Sequence, residues 1–123
     1  MQSLSVDFKV FLHHIYEYQK GVRKMVLCTL SRKEITEAEK RLSHVGIAHF
    51  SRQVKGGSRA NLFFGDQDCL RALDLFLGDR PLNNLTPEED FIVGAMLGYD
   101  IGVQCRRYCK TKQLESQIKI NVA

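Results

Sequence analysis

Spacings of three and four separate Leu4, Phe8, Phe11, Leu12, Ile15 and Tyr18, which marks one wide apolar stripe on a helix over residues 4–19. Ser5, or else Ser3, is its candidate N-cap, Asp7 and Lys20 match the two ends of the helix dipole, and Gly21 supplies a C-cap. The pattern then changes. Met25-Val26-Leu27-Cys28-Thr29-Leu30 is a mostly apolar run without Gly or Pro, bounded by Arg23-Lys24 and by Ser31-Arg32-Lys33. A half-exposed strand alternates, so this run predicts a central strand covered on both faces. Ser31-Arg32-Lys33-Glu34 then reads as a capping box, and Ile35, Ala38, Leu42 and Val45 extend it into a helix closed by Gly46.

Residues 47–54 and 59–64 flank Lys55-Gly56-Gly57-Ser58, a strong turn signal, and predict a hairpin. Arg52 among inward-facing Ala48, Phe50 and Val54 suits an edge strand, where an inward charge discourages further pairing. Asp66 heads a helix from Gln67 to Leu77, ended by Gly78. Thr86-Pro87-Glu88-Glu89 is the sharpest helix start, with Thr86 as N-cap, Pro87 at N1 and Glu89 at N3. Phe91, Ile92, Ala95 and Met96 are its expected inward face, while Gly94 and Gly98 permit close approach of a neighbour on another. A last helix over about residues 99–112 is expected to carry Val103, Cys105, Tyr108 and Cys109, with Arg106, Arg107 and Lys110 outside. Gln117–Val122 alternates with period two, which predicts either a fourth strand or an extended tail.

This order of elements predicts an α+β fold: a ferredoxin-like split βαβ antiparallel sheet with an extra N-terminal helix and extra C-terminal helices. The third strand lies between the first and second, and residues 116–123 are the natural fourth member. Helices cover one face, and the doubly apolar first strand requires further cover from the N-terminal helix, the helices of residues 87–110, or another subunit. Such a topology hosts many activities and assigns none.

Length and composition narrow the class without naming a reaction. The 123 residues, 44% hydrophobic, suffice for one domain with a real core. No window approaches 18 consecutive apolar residues, which removes a membrane-spanning helix. Met1-Gln2-Ser3-Leu4 does not open a secretory signal, so the expected compartment is the cytoplasm, with Cys28, Cys69, Cys105 and Cys109 as free thiols. The net charge of +4 is unevenly placed, basic over residues 1–60, acidic over 61–98 and basic again beyond. A polarised surface of this kind suits a protein partner or a self-pairing dimer at least as well as a polyanion, since a strong nucleic-acid binder is more usually basic along one long face.

Candidate chemistry is sparse. Cys105 and Cys109 lie one helical turn apart, with Arg106 and Arg107 beside them to favour thiolate, and with His13 or His14 they form the candidate thiol or metal site. Buried structural thiols are the commoner use of such a pair, and no tight Cys-x-x-Cys turn is present. Cys69 falls at N3 of the helix headed by Asp66, where the helix end lowers a thiol pKa while Asp66 and Asp68 raise it. His13, Tyr99 and Asp100 supply acid–base groups without a spacing that demands catalysis, and His13 with Glu17 is also an ordinary i,i+4 surface pair. No resident cofactor is expected, since Gly56-Gly57-Ser58 lacks a phosphate-loop pattern. Two basic groups are the candidate partner surfaces: Arg52, Lys55 and Arg59 on the hairpin, and Arg106, Arg107 and Lys110 on the last helix. The hairpin group also offers contact with a nucleic-acid backbone, although a solvated loop tip explains it more simply.

Leu85-Thr86-Pro87-Glu88-Glu89-Asp90-Phe91, Gly94-x-Met96-Leu97-Gly98-Tyr99-Asp100 and Gln104-Cys105-x-Arg107-Tyr108 together resemble a small bacterial family catalogued as a domain of unknown function. His13-His14-Ile15-Tyr16-Glu17 and Phe63-Phe64-Gly65 are similar to it as well, so the likeness spans roughly residues 8–112. The resemblance implies Bacteroides-like anaerobes as hosts and a gene sometimes placed beside flavodoxin. It therefore implies a link to low-potential electron transfer, and it carries no catalytic residues. Flavodoxins are acidic, so either basic group would steer such a partner into a weak encounter.

Overall fold

The computed structural model describes residues 4–54 and 56–112. Its elements follow the expected order: α1 (Val6–Gln19), β1 (Met25–Ser31), α2 (Arg32–His44), β2 (Ala48–Gln53), β3 (Arg59–Gly65), α3 (Gln67–Leu77), α4 (Pro87–Met96) and α5 (Ile101–Thr111), with a 3-10 turn at Leu82–Asn84. The caps are those the residues dictate. Ser5 accepts from the Phe8 N–H, and Ser31 with Glu34 and Thr86 with Glu89 form complete capping boxes. Asp66 heads α3 without capping it through its side chain, because its carboxylate accepts from the Tyr18 hydroxyl at 2.7 Å instead.

The strands pair antiparallel in the order β1-β3-β2. That is the arrangement of a split βαβ unit, with β3 between β1 and β2. Among the described residues β3 is central and β1 is an edge. The reading of residues 116–123 as a fourth strand, which would have placed β1 inside the sheet, lies outside the described residues. Arg52 does stand on an edge strand.

Helices cover both faces, α1 and α2 on one and α3 and α4 on the other, which supplies the further cover that the doubly apolar first strand required. Val26, Cys28, Leu30, Ala60, Leu62 and Phe64 face α1 and α2, where Phe8, Phe11, Ile35, Ala38 and Leu42 complete a core. The alternate residues Met25, Leu27, Phe63 and Phe50 face α3 and α4, against Leu70, Leu73, Leu77, Val93 and Leu97. Alternation along a strand sends neighbouring side chains to opposite faces, so Phe63 and Phe64, both fully enclosed, serve different cores. Gly65 closes β3 at φ +145°, and a Cβ there would stand 2.3 Å from the Lys24 carbonyl oxygen. Only glycine lets the chain pass β1 at that point.

The inward face of α4 is also corrected. Val93, Gly94 and Leu97 are buried, whereas Ile92 is exposed and Ala95 faces outward. The reason is that α4 has two neighbours: Val93 and Leu97 meet the sheet side, and Gly94 meets α5. Phe91 leans edge-on against Tyr108 of α5, with ring centroids 5.7 Å apart.

Candidate functional site

The α4–α5 hairpin is the part of the molecule least committed to the core. Gly98, at φ +76°, ends α4, and Asp100 starts α5 by accepting from the Val103 N–H at 2.9 Å. The two helices close on a lock between Gly94 and Gln104. A Cβ on Gly94 would lie 2.1 Å from Gln104 Oε1, so the glycine is the socket for that side chain. Gly94 was legible as a point of close approach, but its partner was not, since a lone Gln carries no pattern.

Polar clasps hold the far end of α5. Arg107 donates to both oxygens of Asp90 at 2.8 and 3.1 Å, the Tyr108 hydroxyl donates to Glu88 at 2.8 Å, and Lys112 pairs with Glu88 at 3.2 Å. The Tyr108 and Lys112 hydrogen bonds hold the Glu88 carboxyl below the usual range. Gln104 is the buried residue of α5. Val103, Cys105 and Cys109, expected on an inward face, are exposed, as are Ile101, Arg106 and Lys110. The helix rests on α4 and not on the sheet, so one narrow edge of it suffices for packing. What remains includes a solvated face with Val103 near its start and the cations Arg106 and Lys110 further along, at i,i+3 and i,i+7 from it.

The hairpin arginines are used differently. Arg52 donates to Asp74 of α3 at 2.7 Å and lies over the Phe50 ring at 5.7 Å. Arg59 pairs with Asp7 of α1 and donates to the Thr29 carbonyl, both at 2.9 Å. Both cations tie the sheet to its helices instead of projecting from the loop tip. Lys55, the third member of that group, lies outside the described residues.

The candidate thiol and acid–base residues fall on different layers. Cys105 and Cys109 sit on α5, stacked outside α4 on one side of the sheet, while His13 and His14 sit on α1 on the other. His14 Nδ1 meets Glu17 at 2.9 Å and His13 Nε2 stands 3.8 Å from the same carboxylate. The hydrogen bond from His14 is the largest of the influences that hold the Glu17 carboxyl low. Tyr99 is partly exposed beside the start of α5, its hydroxyl pKa raised by burial, and Asp100 is occupied as a cap. No group of three or more His, Cys, Asp or Glu side chains is placed to hold a metal ion among the described residues. Cys28 is the buried thiol, and burial pushes its pKa up to about 12.

A cleft of about 930 Å³ opens at one end of the α3 side of the sheet. Thr29, Asn61 and Arg52 align across the three strands as its floor, one step beyond the apolar row Leu27, Phe63 and Phe50. Its wall is the segment Asp79–Asn83, pinned by Arg80. That guanidinium grips Glu89 at 2.6 Å through Nη1 and donates to the Phe76 and Leu77 carbonyls at 2.9 and 3.3 Å. Arg80 is the main cause holding the Glu89 carboxyl at about 2, assisted by the Thr86 cap. Each cation here has its own carboxylate, so the cleft presents no unbalanced positive charge to an anion.

The fold and this hairpin define a mixed α+β domain with a three-stranded antiparallel sheet and helices on both sides. The chain belongs to the family described as Protein of unknown function (DUF2023), whose model matches residues 9–111. That span takes in all of β1 to α5 and most of α1, including the Gly94–Gln104 lock. A comparison with curated proteins found no match.

Proposed function

We propose that this protein is a cytoplasmic binding module that docks an acidic protein partner through the exposed face of α5. The observation that carries the reading is the contrast in use of cations: Arg52 and Arg59 are spent on intramolecular carboxylates, while Arg106 and Lys110 stand exposed on the face of α5 that also carries the exposed Val103. An apolar side chain next to cations fits a partner whose own apolar contact is ringed by carboxylates, with charge setting encounter and orientation. A flavodoxin, the acidic partner that the family resemblance implies, has this chemistry. The module needs no cofactor for such a role.

Titrating the full chain with an acidic flavodoxin at low and at high salt tests the proposal. Saturable binding at low salt that weakens at least about tenfold at high salt is expected, because exposed charges are screened. Charge reversal in Arg106→Glu together with Lys110→Glu is expected to abolish it, while Arg32→Glu on α2 leaves it intact. No binding at low salt overturns the reading. Sedimentation of the protein alone separates the homodimer expectation: a dimer dispersed by the same two substitutions would mean that α5 serves a second copy.

A further inference from the structure

We propose that the outer edge of β1 is a docking strip for this chain's own C-terminal segment, residues 117–122, laid antiparallel to it. This goes beyond the docking role of α5 and stands without it.

The edge comes first. Asp66 donates its N–H to the Lys24 carbonyl at 2.8 Å and Arg32 donates to the Ser58 carbonyl at 3.1 Å, so even-numbered positions of β1 are the ones bonded to β3. In an antiparallel ladder, bonded and non-bonded positions alternate, which turns the N–H and C=O of Leu27 and Thr29 outward. The Thr29 carbonyl accepts from Arg59, whose pairing with Asp7 closes that end of the edge. Leu27, half-buried, has no hydrogen-bond partner for its outward peptide groups among the described residues. Unpaired, partly buried peptide groups are costly, and an edge this apolar on both faces is an aggregation hazard unless covered.

The route comes second. Leu97 at the end of α4 shares a core with Met25, while Glu89 at its start is gripped by Arg80, which lines the same cleft as Thr29. α4 therefore runs from the Thr29 end of β1 toward Met25, and α5 returns. Tyr108 and Lys112 on Glu88 place the end of α5 back at the Thr29 end. A chain leaving there and running along β1 travels from Thr29 toward Met25, which is antiparallel. Residues 113–116 supply a connection spanning at most about 17 Å when extended. Ile118, Ile120 and Val122 alternate with Gln117, Lys119 and Asn121, a period that places one apolar row on a sheet face.

Amide hydrogen exchange in the full chain, with single proline substitutions at Ile118, Lys119, Ile120 and Asn121, tests the inference. Proline removes one N–H, and along a strand successive N–H groups point to opposite sides. Leu27 is expected to exchange slowly in the native chain. Two of the four variants, at alternate positions, are expected to speed it at least about tenfold, and the other two far less. Fast exchange of Leu27 in the native chain overturns the inference, as does a proline series without alternation. Protection that grows with protein concentration also overturns it, since a second copy would then cover the edge.

Discussion

The two sides of the sheet are built to different depths. On one, α1 and α2 both lie directly on the strands, and Val26, Leu30, Ala60, Leu62 and Phe64 are enclosed along their whole length. On the other, α3 and α4 cover the apolar row Leu27, Phe63 and Phe50 and stop short of Thr29, Asn61 and Arg52. α5 forms a further layer there, attached through Gly94, Gln104 and a few surface ion pairs. A helix packed on a sheet needs a broad apolar stripe, whereas one stacked on another helix needs only a ridge. The second arrangement leaves side chains free for partners, and it is the weaker one.

The largest expected effect tests the filled side. Phe64→Ala removes a fully enclosed ring that meets Phe11 edge-on at 5.7 Å, and it should lower global stability by ~3–5 kcal/mol in denaturant titration. Gly94→Ala is expected to cost less, ~1–3 kcal/mol, because the added methyl only has to displace the flexible Gln104. Its distinguishing sign is faster amide exchange in α5 with β1 and α2 unchanged; equal loosening of all three would remove the distinction between the layers. Asp90→Ala breaks an exposed pair with Arg107 and should change stability by less than about 1 kcal/mol.

Titration separates the sides further. Cys28 has its pKa raised from 9.0 to about 12, so the stabilising contribution of its neutral thiol is complete below pH 9 and is lost as pH rises toward 12. Tyr18, raised to about 12 chiefly by its hydrogen bond to Asp66, acts in the same direction above pH 10. Both groups belong to the α1 side, and Cys28→Ala should flatten the alkaline loss between pH 9 and 12. Glu89 behaves oppositely. Held at about 2 by Arg80 and Thr86, it stabilises the α3–α4 junction above its ordinary 4.5, and that contribution is lost as acid is added toward pH 2. At neutral pH a thiol reagent should modify Cys105 and Cys109 rapidly and Cys28 only on unfolding; equal rates would place α5 in the core.

Helix boundaries, both capping boxes, the hairpin and the order β1-β3-β2 followed from residue types and spacing alone. These are local features, set within a turn or two of chain, or by the pairing rules for short connections. The site was less legible. Arg52, Arg59, Arg106 and Lys110 are the same kind of side chain in similar company, and nothing in their spacing says which will find a carboxylate. That depended on Asp74 of α3 and Asp7 of α1, distant in sequence, coming to rest beside the first two. The periodicity of the last helix likewise marked one face without saying how much of it would be needed. The tertiary structure decided that by stacking α5 on α4 through a single glycine and glutamine, because burial is a property of the neighbours a helix meets and not of the helix itself.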